Sequence, residues 1–410
     1  MVNTPSGLDF LNRVVSTSVA GLKDKKDENG NGCRLCGDTS RYVSKILGIC
    51  VECIRTGSNG AFDLIREAHG VARKGFNLPS QPPKSQSGLT CGVCSNRCRI
   101  GEGEKGYCGL KWNDGRLSSK ISRSEGLLYA YLDPHITNCC SSWFCPGGTG
   151  AGYPRFTKTN GPEYGFYNLS IFMYGCNFDC LFCQNPSHKE FEGETTTSIE
   201  SLVRLIKNNR KITCICFFGG SPEPQLPFTV EASKAALESV QDRVLRVCFE
   251  WNGCGNEALV QEAAELAFES GGNLKFDLKC FNPFLSLALS GVDNREAYRN
   301  FENIAKTYHT RRPSLPLLTA TTLLVPGYVD AREVESIAKF ISNLDPVIPY
   351  GLLVFHPAFM IRDLPVTPLV QVVECYKAAK KHLDRVHIGN LHLIGVNGMD
   401  DFEKIMDSKF

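Results

Sequence analysis

The chain has 410 residues, 42% of them hydrophobic, enough for one large folded domain with smaller modules and too much for a wholly disordered chain. With 45 Lys and Arg against 43 Asp and Glu, the net charge of +2 excludes a global basic field of the kind that coats nucleic acid or an anionic membrane. The 20 cysteines lie in a chain without a secretory-type amino terminus or an apolar run of the roughly 20 residues a membrane helix needs, so thiolates that bind metal in a reducing, cytoplasmic setting are expected, not disulfides.

Residues 1–30 end in KDKKDENGNG and are predicted to form a flexible lead-in. Residues 31–56 carry Cys33, Cys36, Cys50 and Cys53 as CxxC, thirteen residues, CxxC, a spacing that can place four thiolates around one Zn²⁺; a rubredoxin-like iron is the lesser alternative. Such knuckles are more often structural staples than readers of nucleic acid. Residues 57–88 read as a helix over Ala61–Lys74 followed by the Pro/Ser-rich linker NLPSQPPKSQSG. Residues 89–165 form a cysteine-rich accessory segment with too few apolar residues to fold without metal. In it Cys91, Cys94, Cys98 and Cys108 would hold zinc or an auxiliary iron–sulfur cluster, and Cys139, Cys140 and Cys145 are either further ligands or free thiols.

From residue 166 to 395 short apolar runs alternate with amphipathic ones. Strands are predicted at NLSIFMYG, ITCICFFGG, RVCFEWNG, LKFDLK, LLTATTLLVPG and YGLLVFHP, with helices between them and after the last. Six βα units joined by right-handed crossovers imply an α/β fold, a partial (βα)6 barrel preceded by small cysteine-rich metal-binding modules, with its site at the C-terminal strand ends. Residues 396–410 are left as a tail.

Directly after the first strand stands YGCNFDCLFCQN, with Cys176, Cys180 and Cys183 spaced CxxxCxxC and Phe182 before the last cysteine. Three thiolates leave one iron of a [4Fe–4S] cube without a protein ligand, a position that the amino and carboxylate groups of S-adenosylmethionine can fill. A zinc or [2Fe–2S] loop is the plainer alternative. The placement on the first of six βα units argues against it.

Over about residues 88–395 the chain resembles the radical S-adenosylmethionine (SAM) superfamily, and within it the pyruvate formate-lyase activating enzymes and the radical component of the AmmeMemoRadiSam system. The resemblance rests on CxxxCxxCQN, on FFGGSPEPQ, NG, DLK and VPG after successive strands, and on LDPVIPYGLLVFHPAFMIRDLPVTP around the sixth. It extends to the CxxC and GYCGL stretches of the accessory segment. It implies reductive cleavage of S-adenosylmethionine to a 5′-deoxyadenosyl radical, hydrogen abstraction from a protein or small-molecule substrate, and a reducing partner such as a flavodoxin or ferredoxin. It further implies cosubstrate contacts from Phe182, Gly219, Gly220, Ser221, Glu250, Asn252, Asp277, Lys279 and His356. The family usually has Glu where this chain has Ser221, with Glu223 two residues on.

Cys214 and Cys216 alternate along the second predicted strand and read as core, as do Cys248 and Cys375, whereas Cys254 and Cys280 follow strands directly and are expected on the reactive rim. Two other functions compete with radical chemistry on a protein or metabolite. One is radical modification of RNA, which lacks the basic, aromatic-rich stripe it would need. The other is a non-catalytic iron–sulfur or electron-transfer protein on the same fold, encouraged only by Ser221.

Overall fold

The computed structural model describes residues 32–409, so the lead-in expected over residues 1–30 lies outside it. The apolar runs assemble into one eight-stranded sheet whose spatial order follows the chain. Its strands are β1 (Leu128–Pro134), β2 (Tyr167–Met173), β3 (Ile212–Gly219), β4 (Arg246–Trp251), β5 (Leu274–Asp277), β6 (Leu318–Leu324), β7 (Tyr350–Val354) and β8 (Val386–Gly389). β1 pairs antiparallel with β2, placing Leu128 opposite Met173, and every later neighbour is parallel. β1 and β8 form the two edges and do not pair with each other, so the barrel is partial.

The helices that matter for the sheet and the site are α1 (Ala61–Lys74), α2 (Ile199–Asn208), α3 (Leu226–Ser239), α4 (Glu257–Ser270), α5 (Pro283–Ser290), α6 (Arg295–Tyr308), α7 (Ala331–Ser342) and α8 (Leu369–Lys380). Side-chain caps fix where several begin: Ser198 accepts from Ser201 N–H, Asn256 from Ala258 and Leu259, Asn282 from Phe284 and Leu285, and Asp330 from Glu333. Each cap is worth about 1 kcal/mol and pins a loop just beyond a strand end.

Alternate residues of the strands take opposite roles. Ile215, Phe217, Val247, Phe249, Leu274 and Phe276 are buried outward under the helices, Phe217 stacking on Phe249 at 5.2 Å and Trp251 meeting Phe276 edge-on at 5.4 Å. Each such side chain contributes about 1.5–3 kcal/mol of burial. The other parity, Ser170, Cys214, Cys216, Arg246, Cys248, Glu250, Lys275, Asp277 and Thr321, lines one internal cavity. A parallel sheet with a polar, thiol-bearing inner face is built around something other than hydrocarbon.

Four segments expected as units of their own are packed into this body. The boundary expected at residue 166 falls between β1 and β2, so the accessory segment supplies an edge strand. The helix expected before a linker is α1, with Ala68, His69, Ala72 and Arg73 buried. The tail forms a helix over Met399–Lys409, whose buried Phe402 meets Tyr376 at 5.4 Å. The knuckle docks through the Tyr328 hydroxyl, which accepts from Ser44 N–H and donates to Ile49 O, each at 3.0 Å, and through Arg55, which donates to Asp330 at 2.7 Å and Glu333 at 3.1 Å. No helix of the described residues is long and apolar enough to cross a membrane.

Candidate active site

β2 delivers the chain into the loop Tyr174–Asn185, and the neighbouring strand end closes onto it. A Cβ on Gly220 would lie 2.4 Å from Gly175 O, and Gly219 holds φ at +110° with Met173 N 2.7 Å from where its Cβ would be. Only glycine permits that approach. It lets Ser221 N–H donate to Gly175 O at 3.2 Å. The far side of the loop is bound to α5, where Asp179 N–H reaches Ser290 O at 2.8 Å and Leu181 N–H reaches Leu289 O at 2.9 Å.

Asp179, between the first two cysteines of the loop, is its electrostatic anchor. His69 Nδ1 lies 2.8 Å from the buried carboxylate, Lys189 Nζ 2.5 Å and an Arg73 nitrogen 3.5 Å. Burial alone would raise this carboxyl's pKa, but the His69 hydrogen bond and the two cations hold it well below the usual carboxylate range. His69 and Arg73 sit on one face of α1 at i, i+4, so the amino-terminal region clamps the cysteine loop.

Cys176, Cys180 and Cys183 all line the inner cavity, whose volume is about 1960 Å³. Among the described residues, the one set of three or more His, Cys, Asp or Glu ligand atoms mutually within 4.8 Å is Cys33, Cys36, Cys50 and Cys53. Cys176, Cys180 and Cys183 do not form so tight a set.

Phe182, Gly219, Gly220, Ser221, Glu250, Asn252, Asp277 and Lys279 line the same cavity. His356 does not: β7 ends at Val354, Phe355 N–H turns to the Thr367 hydroxyl at 2.8 Å, and His356 Nδ1 faces Pro357 O at 3.2 Å. Lys279 Nζ donates to Asp277 at 2.9 Å, Thr321 Oγ1 to the same carboxylate at 2.6 Å, and Lys275 pairs with Glu250. Burial would raise the Asp277 pKa, yet Lys279 and Lys275 keep it below the usual range.

The Ser221 side chain forms the cavity wall and Glu223 lies fully buried behind it. Glu223 accepts from Gly253 N–H at 2.6 Å and pairs with the Ser221 hydroxyl, while Asn252 Nδ2 donates to Ser221 Oγ at 2.9 Å and to Asn177 Oδ1 at 2.7 Å. Burial pushes Glu223 from the ordinary 4.5 up to about 7. Because its folded pKa is the higher one, its stabilising contribution is full below about pH 4.5 and is lost as pH rises towards 7. Glu223→Gln, which mimics the protonated carboxyl, is expected to lack this loss, leaving the variant up to about 3 kcal/mol more stable relative to wild type at pH 8 than at pH 5. Urea denaturation at both pH values reads the difference, and the same pH dependence in both proteins would rule out a neutral Glu223.

In the knuckle, Sγ of Cys33 and Cys53 are 3.8 Å apart and those of Cys36 and Cys50 3.7 Å. A tetrahedron with Zn–S bonds of about 2.3 Å has edges of about 3.8 Å, so the four thiols fit one ion. Cys91, Cys94, Cys98 and Cys108 line a small buried cavity beside Asn177, without the mutual 4.8 Å approach of the knuckle. Cys214, Cys216 and Cys248 face the large cavity instead of the hydrocarbon core, whereas Cys254 and Cys280 are fully buried away from it, their sulfurs turned towards Asp293 O and Asn282 O. Both faces of a parallel strand are covered, so alternation alone does not say which parity is the lumen.

Residues 170–341 match the model of the radical SAM superfamily. The chain carries a radical SAM domain. "Uncharacterized protein MJ0808" of Methanocaldococcus jannaschii is 24% identical over 319 residues, 74% of this chain and 81% of the relative. "Putative glycyl-radical enzyme activating enzyme MJ1227" of the same organism is 24% identical over 231 residues, 54% and 88% respectively. A crystal structure of a domain of pyruvate-formate lyase-activating enzyme from Bacteroides vulgatus aligns with a TM-score of 0.32 and 19% identity, covering 43% of this chain and 98% of that domain.

That domain makes the protein a radical SAM enzyme, and the superfamily implies a [4Fe–4S] cluster and S-adenosylmethionine. Sequence reasoning about the radical SAM domain missed Asn177, Asp179, His188, Lys189, His69 and Arg73. An acidic residue inside a cysteine loop was the available signal for Asp179, since such a carboxylate needs cations. His188 gave none: it is buried on the cavity wall with Nδ1 unpartnered, and burial pushes its pKa down to about 3, so it is a neutral ring.

Proposed function

We propose that this enzyme cleaves S-adenosylmethionine at a cluster held by Cys176, Cys180 and Cys183 and abstracts hydrogen from a polypeptide, an activase-like reaction. The observation carrying the reading is the cavity. At about 1960 Å³ it exceeds the roughly 300–1,000 Å³ of a pocket for one small ligand, leaving room for a second reactant beside the cosubstrate. Among the described residues, the ten buried side-chain polar atoms without a partner include those of Ser141, Trp143, Asn168, His188 and Asn273, which line it. Buried polar groups are normally satisfied, so a wall this rich in free donors and acceptors suits polar ligands. The relative named as an activating enzyme favours a polypeptide as the second reactant.

When bound and reduced, the cluster supplies the electron that converts S-adenosylmethionine to methionine and a 5′-deoxyadenosyl radical. The chain's own residues hold and orient. Lys279 would meet the methionine carboxylate, and Ser221 and Asn252, tied to the cysteine loop through Asn177, would fix the amino end. Glu250 and Asp277 offer acceptors to the ribose hydroxyls, and the glycine pair leaves the approach open. In the knuckle we place a single zinc ion with a structural task. The wider spacing of Cys91, Cys94, Cys98 and Cys108 favours an auxiliary iron–sulfur cluster over zinc.

The test uses an extract of deuterated cells that express the chain, split by size into protein and small-molecule fractions and given to reconstituted, reduced enzyme with unlabelled S-adenosylmethionine. Deuterium in 5′-deoxyadenosine is expected with the protein fraction. Transfer only from small molecules would sink the activase-like reading, and no transfer from either would sink hydrogen abstraction from these pools.

A further inference from the structure

Six cysteines outside the three expected metal sets converge on the inner cavity: Cys139, Cys140 and Cys145 from the segment between β1 and β2, Cys214 and Cys216 on β3, and Cys248 on β4. They come from three separate stretches of chain. The register sets Cys248 beside Cys216 and Arg246 beside Cys214. Sγ of Cys214 lies 3.6 Å from Sγ of Cys248. At about 3.3 Å per residue, Cys216 lies roughly 10 Å down the strand from Gly219 at the rim, so this group is distinct from the Cys176 loop although both open on one cavity.

We propose that these thiols hold a second, lumenal iron–sulfur cluster, ligated by the strand cysteines Cys214, Cys216 and Cys248 together with cysteines of the 139–145 segment. Hydrocarbon packing does not account for them: all six face the cavity, five keep partial exposure to it, and a core thiol has no need of polar neighbours. Their neighbours are polar. Ser141 N–H donates to Cys139 Sγ and Asn273 N–H to Cys248 Sγ, each at 3.4 Å, the kind of amide-to-sulfur bond that stabilises thiolate ligands. Ser141 Oγ and Asn273 Nδ2 are buried without partners in the same place. Cations are present too, since Lys275 faces Cys139 and Cys140, and Arg246 faces Cys145 and Cys214. No three of the six sulfurs share the 4.8 Å approach that the knuckle's four thiols show, so the set is not gathered for one tetrahedral ion.

The test is anaerobic reconstitution of the full chain with iron and sulfide, followed by counting iron, acid-labile sulfide and zinc in wild type and in Cys216→Ser/Cys248→Ser. The double variant is expected to lose two or four iron atoms per chain with an equal number of sulfides. Its zinc content, and the electron paramagnetic resonance change of the Cys176-loop cluster on adding S-adenosylmethionine, should be unchanged. Unaltered iron and sulfide, or a loss of zinc alone, would overturn the proposal. Should the variant not fold, the wild type answers by itself. With reductant present, alkylation and peptide mapping before and after reconstitution should show at least four of the six cysteines becoming protected, whereas equal labelling in both states would overturn the proposal, as would a Cys214–Cys248 disulfide persisting in the reconstituted protein.

Discussion

Cys180→Ala is expected to abolish 5′-deoxyadenosine formation in the reconstituted, dithionite-reduced enzyme while leaving the fold in place. The cavity-lining sulfur of Cys180 lies 3.4 Å from Ser290 Oγ, and its loop is fixed by backbone bonds to α5 and by Asp179 that do not involve the thiol. Removing it leaves Cys176 and Cys183, too few protein ligands to hold a site-differentiated cube. Loss of a partner that merely orients a metal ligand costs 10–100-fold, so loss of the ligand should cost at least about 100-fold. Chromatography of the nucleoside products decides it. A variant as active as wild type would show that the cluster is held elsewhere.

Asp179→Asn should carry the largest stability effect. The carboxylate is buried against His69, Arg73 and Lys189, whose side chains are themselves 1–3% exposed. Neutralising it strands two buried cations, a loss of about 3–5 kcal/mol for a pair broken by removal of one partner. Because the same contact joins α1 to the cysteine loop, iron incorporation should fall with stability. Urea denaturation and iron analysis measure both. A change under about 1 kcal/mol would mean that the clamp is solvated and adds nothing, as exposed pairs usually do.

The strands β2 to β7 were legible because each is a short apolar run bounded by Gly, Asn or Pro. Parallel strands buried on both faces leave that signature. β1 and β8 were not. LYAYLDP is an edge strand of mixed burial inside a segment dominated by cysteines, and VHIG is too short to stand out. The candidate site divides along the same line. Cys176, Cys180 and Cys183 and the polar residues after each strand could be named from the chain, since strand ends in a parallel sheet point to one rim. His356 was misplaced because a strand end two residues earlier turns the chain away.

What the sequence by itself determined is the local chemistry: three cysteines at cluster spacing, four at zinc spacing, and βα alternation, all set by periodicity and short-range geometry. Only the tertiary structure decided which parity of each strand faces the lumen, because both faces of a parallel sheet are covered. That choice moved Cys214, Cys216 and Cys248 from core to cavity, while the loops after β4 and β5 bury Cys254 and Cys280 away from it. It also joined His69 and Arg73 to Asp179 across more than 100 residues, a contact fixed by the need of a buried carboxylate for cations and by no local pattern.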